Sequence, residues 1–263
     1  MKTKMKMKAV AAALALVAAG TANAAIDTTA TGNGELFFSI RDNTNLTSYV
    51  MDTNVSLDTF LANVNVSQSW AADATLTSYL STGSGNYSWA VMAGDSIGAG
   101  AAGGLRYLST AATGMAGTWA TEKNVGMLGY SIMDTSYLTG ANAAIAVGAT
   151  GNSATFANGD AGYFGTAMDS WFNNSPMNAA SAGLGGEQSF YYATNTGSTA
   201  AFATKNQTIA VSELIGTWTL DSLSGDLNYV ATPIPAAVWL LGSAMVGLVG
   251  VARRREEDQI ITA

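Results

Sequence analysis

Apolar positions change their spacing several times along the chain, and each change marks an element. Leu36, Phe38 and Ile40 recur at every second position, so 35–41 is expected to be a strand with a buried face. Asp42-Asn43-Thr44-Asn45 is turn chemistry, and 46–51 is expected to return as a second strand. Leu57, Phe60, Leu61 and Val64 fall at i, i+3, i+4 and i+7, with Ser56 placed to cap them, which predicts a helix. A shorter helix is expected over 73–80. Tyr87, Trp89 and Val91 alternate again, giving a strand that ends near Asp95, and Leu105 and Tyr107 mark its neighbour across a glycine-rich connection.

Val125, Leu128 and Ile132 predict a helix across 121–138, although Gly126 and Gly129 each weaken it by about 1 kcal/mol. Residues 140–186 show no firm period and read as loops and short strands. Residues 187–194 and 201–211 are strand-like, and 216–220 with 226–230 predict a hairpin around Leu223-Ser224-Gly225. The small polar residues 25–34 read as a flexible leader. Together the pattern predicts one α+β domain, 25–232, dominated by antiparallel strands and carrying two or three helices. A β-sandwich with helices packed at one side is an arrangement it allows. No internal repeat is visible, which argues against a solenoid.

The two ends differ from this body. Lys2, Lys4, Lys6 and Lys8 precede an uncharged run from Ala9 to Ala19, and Ala22-Asn23-Ala24 supplies a small-x-small pattern. Residues 1–24 are therefore expected to be a signal peptide cut after Ala24, since eleven helical residues span only about 16 Å. At the other end, Ala236 to Ala252 holds seventeen uncharged residues followed by Arg253, Arg254 and Arg255. Seventeen helical residues cover about 25 Å, the short end of a membrane-spanning helix, and the arginines would stay cytoplasmic. Pro233 and Pro235 stand at its entry, where they hold the backbone extended.

Pro233-Ile234-Pro235-Ala236-Ala237-Val238-Trp239-Leu240-Leu241-Gly242-Ser243, the apolar run and the three arginines together resemble a PEP-CTERM sorting signal of the VPxPA type. The resemblance covers 233–255. It differs from the family at Ile234, where the glutamate that names it would stand, and in the extension from Glu256 to Ala263. It implies recognition by exosortase, a membrane-embedded cysteine transpeptidase of Gram-negative bacteria, with cleavage near the prolines. It also implies association with exopolysaccharide and with biofilm or floc formation. A permanent C-terminal anchor is the alternative, with Ser243 and Gly247 one turn apart for helix pairing. Gly34-Glu35-Leu36-Phe37-Phe38 and Ala93-Gly94-Asp95-Ser96 look diffusely like other exported sorting-tail proteins and carry no site.

Charge narrows the function classes. Between the two ends only Arg41, Arg106, Lys123 and Lys205 oppose fifteen acidic residues, a net charge near −11 that repels phosphate backbones. No nucleic-acid partner is expected. There is no cysteine, so an exported fold must stand on its hydrophobic core, for which Trp70, Trp89, Trp119, Trp171 and Trp218 are candidates.

Four constellations resemble chemistry. Gly94-Asp95-Ser96-Ile97-Gly98 matches a nucleophile elbow, yet the chain has no histidine to take the serine proton. Gly98-Ala99-Gly100-Ala101-Ala102-Gly103 matches a dinucleotide fingerprint, but strand-like Leu105-Arg106-Tyr107-Leu108 follows where a helix is needed. Without His or Cys, metal ligation falls to oxygen and thus to calcium or magnesium, with Asp42, Asn43 and Asn45, or Asn158 and Asp160, as donors. Asx residues making their own turns explain both groups as well. Paired carboxylates for glycoside hydrolysis remain open. Asn45-Leu46-Thr47 and Asn54-Val55-Ser56 match glycosylation sequons that an Asn/Ser/Thr-rich chain produces by chance.

The expected function is that of a non-enzymatic exported surface or matrix protein, without catalytic residues, metal or cofactor. Its partners are signal peptidase, an exosortase-like enzyme, the inner membrane transiently, and extracellular polysaccharide or copies of itself. A glycan-binding module with an exposed aromatic strip, a self-assembling filament or surface-layer subunit, and a carboxylate-based polysaccharide-cleaving enzyme are the alternatives.

Overall fold

The structure is a computed structural model of the 263-residue chain. It describes residues 25–27, 33–94, 106–115, 137–147, 151–167, 182–195 and 209–232. The backbone divides into two compact units, Met1–Ala231 and Thr232–Ala263. Apart from Thr232, the second lies outside the described residues.

In chain order the elements are β1 (Glu35–Asp42), β2 (Thr47–Ser56), α1 (Leu57–Ala62), β3 (Gln68–Trp70), α2 (Ala74–Thr82), β4 (Tyr87–Gly94) and β5 (Arg106–Ala111). There follow α3 over 137–147, then β6 (Ser153–Ala157), α4 (Phe164–Ala167), β7 (Glu187–Asn195), β8 (Ile209–Leu220) and β9 (Leu227–Val230). The nine strands make one sheet in the order β3-β9-β8-β7-β5-β4-β1-β2-β6, every pair antiparallel. The protein is therefore strand-dominated, built on a single curled sheet with a few short helices. The curl is steep. Trp70 Nε1, on edge strand β3, donates to the Thr53 carbonyl of β2 at 3.1 Å, although seven places separate these strands in the order.

The sheet buries both faces, because side chains alternate across a strand. Phe38, Ile40, Tyr49, Trp89, Val91, Leu108, Phe190 and Trp218 point to one face, where α1 and α2 pack. Phe60 of α1 lies 4.9 Å from the Tyr229 ring, 5.2 Å from Phe190 and 5.9 Å from Trp218. Phe37, Val50, Ala90, Met92, Tyr191 and Ala193 point to the other face, under Tyr137, Leu138, Ala141 and Ile145 of α3 and Phe164 of α4. This explains why β1 reads Leu-Phe-Phe-Ser-Ile rather than alternating apolar with polar.

The cap expected at Ser56 holds, and Asp73 caps α2 in the same way. The Ser56 hydroxyl accepts from Thr59 N–H at 3.3 Å, and the Asp73 carboxylate accepts from Leu76 N–H at 2.6 Å. Helix α1 is shorter than its pattern predicts, and Val64 packs against the core from beyond its end. Four expectations change. The strands form one continuous sheet instead of the two stacked layers of a sandwich. Residues 137–147 form a helix: 137 and 138 fall within the expected helix, whereas 140–147 were expected as loops and short strands, and three-residue β3 was not foreseen. Residues 25–27 are built into the fold rather than a loose leader: Ile26 is 1% exposed in the core. Its N–H donates to Asn142 Oδ1 at 2.8 Å and its carbonyl accepts from Asn142 Nδ2 at 3.0 Å. Residues 121–136 of the helix expected over 121–138, and residues 201–208 of the strand-like 201–211, lie outside the described residues. Among the described residues no helix is long and apolar enough to cross a membrane.

Candidate functional site

The residues of the expected processing sites, Ala22 and Ala24 at one end and Pro233, Pro235, Trp239, Gly242, Arg253, Arg254 and Arg255 at the other, lie outside the described residues. So do Trp119, Trp171, all of 98–103, and the elbow beyond Gly94, the last residue of β4. The tryptophans that are described serve the interior. Trp89 and Trp218 are fully buried, and Trp70 stacks on Trp218 at 5.3 Å. With Trp70 half-buried and the other two covered, these three do not form an exposed aromatic strip.

The turn after β1 is organised by Asp42, which is itself covered. Its Oδ1 accepts from Thr44 N–H at 2.9 Å, Asn45 N–H at 2.9 Å and the Ser84 hydroxyl at 2.6 Å. Its Oδ2 accepts from Ser84 N–H at 2.6 Å and Asn45 Nδ2 at 3.1 Å. Burial pushes this carboxyl up, but the donors from Asn45, Ser84 and Thr44 outweigh it and hold it at about 2. Both oxygens are thus occupied by the protein's own N–H and O–H groups. At the second Asx group, Asp160 Oδ2 accepts from Ala157 N–H at 2.8 Å. Among the described residues no three of His, Cys, Asp and Glu are grouped to hold a metal ion.

A groove of about 570 Å³ runs between α2 and edge strand β6. Thr75, Ser78, Tyr79 and Thr82 occupy one face of α2, and Thr47, Thr155, Phe156 and Ala157 supply the opposite wall. It contains no charged side chain. The Tyr79 hydroxyl is committed to the fold, donating to the Thr47 carbonyl at 3.0 Å and accepting from Asp42 N–H at 2.8 Å. Deeper, the Asp73 carboxylate gathers the Tyr49 hydroxyl at 3.0 Å and the Ser153 hydroxyl at 2.5 Å. Burial and the nearby Asp73 charge raise Tyr49 well above its ordinary range.

The most perturbed acid is Asp52, near the end of β2. Val50 and Asp52 share a face, so the strand's alternation carries a carboxylate into the core beneath Phe37, its cross-strand partner. Oδ1 accepts from Asn54 N–H at 2.7 Å, while Oδ2 is buried with no hydrogen-bond partner. Burial raises Asp52 to about 7; the Asn54 hydrogen bond opposes this, and the Glu35 and Asp27 charges add to it. Glu35 is raised too, chiefly by burial. Glu35 is tied to the backbone of residue 27: its Oε2 accepts from Asp27 N–H at 2.8 Å and its N–H donates to the Asp27 carbonyl at 3.0 Å. A carboxyl that titrates near neutrality suits a general acid. Asp52, at 0% exposed, has no access to a substrate. The signal for it was legible in principle, since an acid two residues from Val50 must share its buried face.

By fold, then, this is a strand-dominated protein, and the polar features of its described residues include a hydroxyl-lined groove and a buried aspartate, Asp52. Comparison with protein-family models, with curated proteins and with solved structures finds no match in any of the three.

Proposed function

We propose that the chain is an exported, non-catalytic surface or matrix protein, released from a transient membrane stage by an exosortase-like transpeptidase. The observation that carries this reading is the order proline pair, seventeen uncharged residues, three arginines at 233–255, downstream of a cationic, apolar, small-x-small N-terminus. The body between them associates with extracellular polysaccharide or with copies of itself. Its acidic charge keeps it clear of nucleic acid, and no metal or cofactor enters the reading.

The groove between α2 and β6 favours a second reading, a glycan-binding module. Neutral sugars are recognised through their hydroxyls, and Thr47, Thr75, Ser78 and Thr155 present hydroxyls there without a competing charge. That reading replaces the exposed tryptophan strip with a polar wall.

Mass spectrometry of protein recovered outside the producing cells tests the main reading. Termini at Ala25 and close to Thr232, the second lost when the sorting enzyme is deleted, are expected. An intact chain in the cytosol would overturn it. For the second reading, Ser78→Trp fills the groove and should abolish retention on the producer's polymer; unaltered retention would refute it.

A further inference from the structure

Strand β6 ends the sheet, and its outer side is only partly closed. Asp52 N–H donates to the Asn152 carbonyl at 2.9 Å, and Asn158 N–H donates to the Leu46 carbonyl at 3.0 Å. Backbone groups alternate in direction along a strand, so those of 154 and 156 also turn to β2 while those of Ser153, Thr155 and Ala157 aim outward. Ala157 is capped from within: its N–H donates to Asp160 Oδ2 at 2.8 Å and its carbonyl accepts from Asp160 N–H at 3.1 Å. Ser153 and Thr155 have no such cap among the described residues, and Thr155 is exposed beside the groove that separates β6 from α2. The opposite edge is better guarded, since β3 has only three residues and Trp70 ties it to Thr53.

Charge decides which surfaces two copies can bring together. The body's net charge near −11, four cations against fifteen acids, drives charged surfaces apart. Residues 74–94 and 137–159, which supply α2 and β6, carry no charged side chain. The acids that border β6 and α2 are engaged by the protein's own donors, Asp160 by Ala157 N–H and Asp73 by the Tyr49 and Ser153 hydroxyls.

We propose that β6 is the interface between two copies of this chain, pairing antiparallel with its counterpart about a two-fold axis at Ala154. Ser153 of one copy then lies opposite Thr155 of the other, and every uncapped N–H finds an uncapped carbonyl. A second copy brings the same donors and acceptors in the matching order, on an equally uncharged strand. The sheet runs on from one copy into the other, and Asp160 stops the ladder at Ala157. The inference rests on the reading that copies of the chain associate, and it names the surface they use.

Sedimentation of the purified full chain in mild detergent, over a concentration series, measures the pairing. Thr155→Pro deletes an outward N–H and spares the bonds to β2, so the dimer dissociation constant should rise about 10- to 30-fold. Thr155→Val removes the hydroxyl but keeps the backbone group, so its constant should match wild type. Thr155→Glu serves if Thr155→Pro does not fold: it sets like charges near the axis, and its dimer should weaken and recover at high salt. A wild-type chain that stays monomeric, with the groove left to the producer's polymer or to a foreign peptide, overturns the pairing. So does a dimer that Thr155→Pro, or Thr155→Glu in its place, leaves unchanged, or that Thr155→Val weakens equally. An intact chain in the cytosol sinks the export reading without altering these constants, whereas a monomeric exported protein sinks the pairing and leaves export standing.

Discussion

Asp42 offers the sharpest test of how this fold uses its acids. Replacing it by Asn keeps the shape, removes the charge, and turns an Nδ2 donor toward at least one of the donors it now accepts, Ser84 N–H or Asn45 Nδ2. The native carboxyl titrates at about 2 against an ordinary 3.8, a difference worth roughly 2 kcal/mol. The site is covered but shallow, with Asn45 and Ser84 at the surface, so solvent screening trims the ionic share to about 1–2 kcal/mol. Misplaced donors add about 1 kcal/mol or more. The sign follows from the lowered value: stabilisation is complete above about pH 4 and disappears as pH falls through 2. Urea denaturation of wild type and Asp42→Asn at pH 7, 5, 3 and 2 measures it. A loss of roughly 2–3 kcal/mol at pH 7, shrinking by about half at pH 2, is expected. A difference independent of pH would show that the charge contributes nothing and that the reasoning is wrong.

Asp52→Asn should behave in the opposite sense. The raised carboxyl makes wild type lose stability as pH climbs from about 4 through 7, so the variant should be the more stable at pH 8; thermal melts across pH 4–8 check this. Phe60→Ala empties the contact among Phe190, Trp218 and Tyr229 and should cost about 3–5 kcal/mol by urea titration. Gly34→Ala should destabilise or prevent folding, because its Cβ would sit 1.9 Å from the Gly94 carbonyl oxygen, where strands β1 and β4 end together; a melting temperature unchanged from wild type would contradict that packing. Trp70→Phe removes the hydrogen bond that closes the curl and should speed amide exchange in β3 and β9 ahead of β4.

Local chemistry made much of this protein legible in its sequence. Alternation placed β1, β4 and the β8–β9 hairpin, and Ser56 capped the helix whose four apolar positions announced it. Such elements are written in neighbouring residues, so one sequence suffices. The processing signals proposed for the two ends are likewise linear patterns of charge, apolar length and small residues in a fixed order.

What no local pattern carried was decided by distance. A strand of three residues such as β3 exists only because β9 is there to pair with it. Helix α3, with its Thr, Gly, Ala and Asn, has little to mark it until Tyr137, Leu138, Ala141 and Ile145 find the sheet's second face. That second covered face also explains the single curled sheet, where alternation alone allowed a sandwich. Asp52 shows both sides of this: its buried face could be read from Val50, but Phe37 lies across from it only because β1 pairs with β2. Sequence fixes which surfaces want covering; only the folded chain decides which segment covers them, since that choice depends on contacts made across long stretches of chain.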